Sequence, residues 1–382
     1  MIYLDNHATT PVDPRVLEAM LPYFREAFGN AASRSHGFGW QAEKAVDRAR
    51  RQVADLAGAG PREVVFTSGA TESNNLALKG VFETYRGRGN HFITMATEHR
   101  ATLDPLRHLE KLGGIVTVLS PRRDGLLDLE TLRAALRPET LLVSIMHANN
   151  EIGVLQPVAE IGAMCRRQGV LFHTDAAQAF GKIPVDWTAQ NIDLMSVSAH
   201  KIYGPKGVGA LFVRRGVALA SQIDGGGHEQ GMRSGTLNVP AIVGFGEACA
   251  ICASEMRSEA ERLRGLRDRL QARLESGLDG VTINGSMEQR LPHNLNVSFA
   301  GVNADSLLTS LPELALSTGS ACSSATPEPS HVLRALGVGE AAARSAVRIG
   351  LGRFNTEAEI DRAAHRITEL VRELRSLSPQ LS

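Results

Sequence analysis

At 382 residues the chain is long enough for two or three folding units and a sizeable core, and 43% hydrophobic with 21% charged residues is ordinary for a soluble globular protein. Forty-one Lys plus Arg balance 41 Asp plus Glu, so no global charge favours nucleic acid or an anionic membrane surface. Four cysteines (Cys165, Cys249, Cys252 and Cys322) and no leader-like start argue against a secreted disulfide scaffold and for reduced thiols in a cytosol. No apolar run approaches the roughly 18–20 residues of a spanning helix, since IVGFGEACAICA is short and carries Glu247.

In chain order, DPRVLEAMLPYFREAFG predicts a helix with Asp13 as N-cap and Pro14 in the first turn. Leu17, Met20, Leu21 and Phe24 form its apolar face, and Gly29 its stop. A second helix is predicted from Trp40 to Leu56. Short apolar runs then alternate with amphipathic ones: EVVFTS, HFITMAT, GIVTVLS, LLVSIMH, VLFHTD, DLMSVSA and VGALFVR. Such continuous runs suit strands buried on both faces, and GATESNNLALKGVFETY and VAEIGAMCRRQG suit crossover helices, which together predict a mostly parallel α/β sheet. After Pro240 comes a long helical tract with Leu263, Leu266, Leu270 and Leu274 at helical spacing, read as a solvated amphipathic helix joining two units. VTING, HNLNVSFA, ALSTG and SAVRIGLG then read as strands of a smaller α+β unit.

Ligands of parallel α/β sheets bind beyond the carboxyl ends of the strands. There this chain places TSGATESNN, whose small residues from Ser68 to Thr71 open a helix fit for a phosphate, although Ser and Thr caps are common. The next ends carry Glu98 and His99, then Asn149 and Asn150, then Asp175 with Gln178, then Ser198, His200 and Lys201. Any one of these is ordinary; a phosphate cradle, an imidazole, an amide, a carboxylate and an amine together match the needs of pyridoxal phosphate. That cofactor condenses its aldehyde with a lysine, needs a carboxylate against its ring nitrogen and takes an aromatic ring over its face.

YLDNHATTPVDPRV, TSGATESNNLA, ATEHRA, HANNEIG, HTDAAQ, SAHKIYGPKGVG, GGGHEQGMRSGT, STGSACSS and VRIGLGR, in this order, resemble the cysteine desulfurases of the class V aminotransferase family over nearly the whole chain. The resemblance implies the fold type I of pyridoxal-phosphate-dependent transferases. That is a mostly parallel seven-stranded sheet flanked by helices in a large domain (15–256), with a small α+β domain from 1–14 and 257–382 carrying a catalytic cysteine loop at about 317–330. It implies Lys201 as covalent anchor and proton carrier, Asp175 and Gln178 at the ring nitrogen and phenolic oxygen, and His99 stacked on the ring and taking part in proton transfer. Ala70, Thr71, Ser198 and His200 would hold the phosphate, joined by Thr236 from the neighbouring subunit of a homodimer. Asn150 and Arg348 would grip the carboxylate of L-cysteine.

By the same resemblance Cys322 is the nucleophile that takes sulfur from L-cysteine as a persulfide and leaves L-alanine. The sulfur would pass to an acceptor protein such as an iron–sulfur scaffold, because the full-length Cys322 loop resembles the branch serving iron–sulfur cluster assembly and tRNA thiolation. No membrane or direct nucleic-acid partner is expected. The competing readings are a selenocysteine or cysteine lyase or a class V aminotransferase without persulfide transfer, and a scaffold that has lost the chemistry. Cys249 and Cys252 form a CxxC on an apolar helical run and are read as packing, Cys165 receives no role, and the glycines of DGGGHEQG lack the flanking strand and helix of a nucleotide loop. His7 and Gln230 depart from the family pattern and receive no role.

Overall fold

The computed structural model describes residues 1–318 and 329–377. Strand β1 (Ile2–Tyr3) precedes helices α1 (Pro14–Met20), α2 (Pro22–Arg25) and α3 (Gly37–Ala57). Alternation follows through β2 (Val64–Thr67), α4 (Ala70–Tyr85), β3 (His91–Met95), α5 (Arg100–Lys111), β4 (Ile115–Leu119), α6 (Leu129–Ala135), β5 (Thr140–Ser144), α7 (Val158–Gln168), β6 (Leu171–Asp175), β7 (Leu194–Ser198) and β8 (Gly209–Val213). The remainder holds α8 (Val239–Gly277), β9 (Val281–Ile283), β10 (Asn294–Phe299), α9 (Ala304–Thr309), β11 (Leu314–Ala315), α10 (His331–Ala335), α11 (Glu340–Arg344), β12 (Ala346–Gly350) and α12 (Glu357–Leu377).

Among the described residues, seven strands form one sheet in the order β2-β8-β7-β6-β5-β3-β4, with β8 antiparallel to both neighbours and the other pairings parallel. The expected α/β architecture is present. Alternation on β2 shows why its run is apolar throughout: Val64 and Phe66 enter the core beneath α3 and α8, while Val65 enters the core beneath α4 and α5. The run GIVTVLS departs from that reading. It forms the edge strand β4, where Ile115 and Val118 are 43% and 52% exposed because no strand or helix covers its outer side fully.

The single helix predicted from Asp13 is also corrected. Asp13 caps it and Pro14 opens it, but α1 ends at Met20 and Pro22 opens α2, because proline has no N–H to continue the ladder. Val16 and Met20 are the buried side chains; Leu17 and Phe24 lie exposed.

Helix α8 runs unbroken for 39 residues and joins two cores. Its first half is long and apolar enough to cross a membrane, contrary to the sequence expectation, with a window of mean hydropathy 1.3; 56% of that window is buried inside the protein. Cys249 and Cys252 lie in this buried part, as packing residues. The leucine stripe is not solvated: Leu263, Leu266, Leu270 and Leu274 pack with Leu295, Val297, Val347 and Ile349 of the three-stranded sheet β12-β10-β9 and with α12. Each buried leucine contributes about 1.5–3 kcal/mol relative to exposure.

The N-terminal segment ties the two parts together. Strand β1 pairs with β11, Leu4 enters the second core, and the chain then crosses to the large sheet, where Thr10 and Asp13 donate backbone N–H groups to His200 O and Tyr203 O at 3.0 and 2.9 Å. His7, Ala8 and Thr9 are thereby laid across the ends of β6 and β7.

Candidate active site

A cavity of about 580 Å³ opens at the carboxyl ends of the parallel strands. Gly69, Ala70 and Thr71 enter it after β2, His99 after β3, Asn150 after β5, Asp175 and Gln178 at the end of β6, and Ser198, His200 and Lys201 at the end of β7. Arg348 of β12 closes it from the second part of the molecule. The parallel arrangement brings these ends together because each crossover helix returns the chain to the same edge before the next strand.

Asp175 is held by two donors. Asn74 Nδ2 reaches its Oδ2 at 2.7 Å from the buried face of α4, and Ala177 N–H reaches Oδ1 at 3.0 Å. Lys201 Nζ lies among backbone carbonyls, donating to Ala8 O at 2.8 Å and to His7 O at 2.5 Å. Gln178 Nε2 donates to His7 O and its Oε1 meets His7 Nδ1, each at 3.0 Å.

His99 is the N-cap of α5, its Nδ1 accepting from Ala101 N–H at 3.1 Å, so the neutral ring carries its proton on Nε2. Burial lowers its pKa, with Lys201 and His331 acting in the same direction and Asp175 against it. Burial also lowers His200, to about 4, helped by Lys201 and Lys206; its Nδ1 meets Thr9 Oγ1 at 3.1 Å.

The start of α4 is built for an anion. Its cap position is Gly69, so among the described residues no side chain caps the first-turn N–H groups, and the helix dipole adds partial positive charge there. Gly69 has φ +150°, which L side chains rarely adopt, and a Cβ would project to within 3.6 Å of Ser198 Oγ. The cradle between Gly69, Thr71, Ser198 and His200 is thus space that a side chain would fill.

Arg348 is buried, with Nη2 at 2.9 Å from Asp5 Oδ1 and Nη1 donating to Asn150 O at 3.0 Å. Asn150 and Arg348, 198 positions apart, therefore share one corner of the cavity. Thr236 does not line the cavity: it is exposed on the connection between β8 and α8. Cys322 lies outside the described residues.

The donor set fits pyridoxal phosphate: a helix start with hydroxyl and imidazole donors for the phosphate, a carboxylate two-fold hydrogen-bonded from behind, an amide beside it, and a lysine opposite. Lys201 would hold the cofactor, with Asp175 at the ring nitrogen and Gln178 at the phenolic oxygen.

Several site residues carried no signal in the sequence. Asn74 looked like one more polar residue of a helix, yet its place four residues after Ala70 turns it toward Asp175. Asp5 pairs with Arg348 across 343 positions. Glu151 accepts a hydrogen bond from Ser330 Oγ, the cap of α10, and His331 Nε2 donates to Glu98 O at 3.0 Å, which brings α10 to the cavity wall. Burial raises the pKa of both Glu98 and Glu151. Glu229 of GGGHEQG is structural: it receives both Nη atoms of Arg50 and Phe66 N–H, while Gln230 Nε2 donates to Arg62 O.

Comparison with known proteins places these features. The family model described as aminotransferase class-V matches residues 2–363. The chain is 58% identical over 380 residues to a protein of Anaeromyxobacter dehalogenans (strain 2CP-C) named cysteine desulfurase IscS, covering 99% of this chain and 94% of that one. A solved structure titled NifS-like protein superposes with a TM-score of 0.91 at 39% identity, covering 97% of this chain and 99% of that chain. One titled SspA in complex with cysteine does so with 0.82 at 38% identity, covering 93% and 100%. Matched over nearly its full length, and through every strand end that builds the cavity, the chain belongs to the aminotransferase class-V family, beside relatives named as cysteine desulfurases.

Proposed function

We propose that the protein is a pyridoxal-phosphate-dependent cysteine desulfurase that converts L-cysteine to L-alanine and retains the sulfur as a persulfide on Cys322. The observation that carries this reading is the convergence of Lys201, Asp175, Gln178, His99 and the open start of α4 on one cavity. Near-complete coverage of relatives that bear this activity supports it. Pyridoxal phosphate, when bound through Lys201, supplies an electron sink for bond changes at the substrate Cα and Cβ.

The residues of the chain do the rest. Asp175, fixed by Asn74 and Ala177, would keep a proton on the ring nitrogen. Gln178 would donate to the phenolic oxygen, and the first turn of α4 with Ser198 and His200 would take the phosphate. Arg348 binds the substrate carboxylate, with Asn150 beside it, and so orients the thiol. Lys201 Nζ would take the proton from the substrate Cα and return it there as alanine forms. His99 would lie against the cofactor and offer Nε2–H; it can pass that proton on only by taking one at Nδ1, where the Ala101 contact is given up. Cys322, as thiolate, attacks the substrate sulfur. The new S–S bond forms as the Cβ–S bond breaks, the electron pair stays with carbon, and a proton completes alanine.

We place the enzyme in the cytoplasm as a homodimer in which Thr236, exposed and away from its own cavity, reaches the partner's phosphate. The persulfide is passed to an acceptor protein of iron–sulfur cluster assembly or tRNA thiolation. Cys165, Cys249 and Cys252 are free and buried, in keeping with a reducing compartment.

Purified protein is expected to be yellow and, with L-cysteine and a thiol reductant, to release alanine and sulfide in equal amounts. Cys322→Ala should abolish sulfide release and keep the colour; Lys201→Ala should lose the covalent attachment. Undiminished sulfide from Cys322→Ala refutes persulfide formation, and alanine that depends on added keto acid favours an aminotransferase.

A further inference from the structure

Residue His7 sits between the cofactor site and the second core, 1% exposed, and its hydrogen bonds can be oriented without ambiguity. Glu151 O is a carbonyl and can only accept, so the Asn294 atom 3.1 Å away is Nδ2; Arg290 Nη1 can only donate, so the atom 3.2 Å from it is Oδ1. Asn294 Nδ2 therefore spends one hydrogen on Glu151 O and turns the other to His7 Nε2 at 3.0 Å. That makes Nε2 an acceptor and puts the ring proton on Nδ1. At the other edge, His7 O can only accept, which places Gln178 Nε2 against it and Oε1 against His7 Nδ1, both at 3.0 Å. The two edges give the same answer independently.

We infer that His7 is a positioning residue for Gln178: it holds the amide by both ends, the neutral Nδ1–H ring, set by Asn294, donating to Oε1 and the main-chain carbonyl accepting from Nε2, and leaves the second Nε2–H for a ligand oxygen in the cavity. A ring protonated at both nitrogens would turn an N–H against an N–H of Asn294, so the clamp works only with the uncharged ring. The surroundings keep it so: burial lowers His7 to about 3, with Arg348, Lys201 and Lys182 acting in the same direction, and His293 stacks on it at 4.6 Å and is itself held neutral by burial. An amide free to flip would present its oxygen to the phenolic oxygen of the cofactor; the clamp removes that orientation.

The role at the phenolic oxygen rests on the proposed cofactor site, whereas the tautomer does not, so the two can fail separately. Protein labelled with ¹⁵N-histidine and free of cofactor is expected to show the His7 ring, assigned by its loss in His7→Asn, as the Nδ1–H tautomer, neutral from about pH 8 to about pH 5.5. In loaded protein, His7→Phe is expected to raise the midpoint of the pH titration of the visible band by about 0.5–1 unit, because the Gln178 amide keeps only its main-chain contact, its remaining N–H is held less firmly toward the phenolic oxygen, and that oxygen holds its shared proton more tightly. His7→Asn, whose amide can place an N–H where Nδ1–H stood, should restore most of the shift. An Nε2–H tautomer, a charged ring in that range, or an unmoved midpoint in folded His7→Phe would overturn the inference. Should His7→Phe not load cofactor, the tautomer alone decides.

Discussion

Replacing His173 tests the reading of the sheet as a place where imidazoles are kept neutral. This residue lies on β6 two positions before Asp175, fully buried, with Nδ1 at 2.8 Å from Ser144 Oγ of β5 and Nε2 at 3.0 Å from Ser196 Oγ of β7. Burial lowers its pKa from 6.5 to about 4, against a small opposing effect of Asp175. The unfolded chain therefore takes up a proton here before the folded one does, so stability is lost as pH falls below about 6.5 and the loss is complete near the folded pKa. One pKa unit is about 1.4 kcal/mol, which makes the full loss about 3.4 kcal/mol at low pH and about 1.4 kcal/mol by pH 5.5. With an unfolding entropy of about 2.1 cal/mol/K per residue, the latter is about 2 °C in melting temperature for a chain of this length. His173→Gln cannot take up the proton. Its melting temperature should lie below wild type near pH 7.5 and fall about 2 °C less on going to pH 5.5, as followed by circular dichroism. Parallel falls in the two proteins would refute the claim that this imidazole is neutral in the fold and charged outside it.

Two further outcomes follow from the same geometry. Gly69→Ala puts a side chain into a backbone conformation that costs of order 1–3 kcal/mol and into the cradle beside Ser198; the dissociation constant for pyridoxal phosphate should rise at least about tenfold in a protein with unchanged far-ultraviolet dichroism. An affinity within about twofold of wild type would contradict the phosphate assignment. Glu229→Ala leaves Arg50 and Phe66 N–H without their buried carboxylate, a loss of about 3–5 kcal/mol. Because Arg50 keeps Val64 O and the Phe66 ring, the lower end applies, and the melting temperature should drop by about 4 °C, with Glu229→Gln falling less. An unchanged melting temperature would show that the pair does not hold the 222–238 connection to β2.

The sequence alone determined the strands, because a strand covered on both faces is mostly apolar, and VVF, FITM, LLV and LMSV are, with Thr94 and Ser196 the buried polar exceptions that hydrogen-bond to neighbouring strands. It also placed the chemistry, since residues just after such runs all fall on one edge once the strands are parallel. The apolar run GIVTVLS was misleading, since hydrophobicity does not say whether a strand lies inside a sheet or at its edge, and Pro22 divided a helix whose periodicity runs straight through it. What only the tertiary structure decided are the pairings across long separations: Asn74 with Asp175, Asp5 with Arg348, and Asn294 with His7 with Gln178. Local pattern reports what a residue's own segment needs. A hydrogen bond between positions 7 and 294 depends on how β1, β10 and β6 are packed, and that is set by the whole core at once.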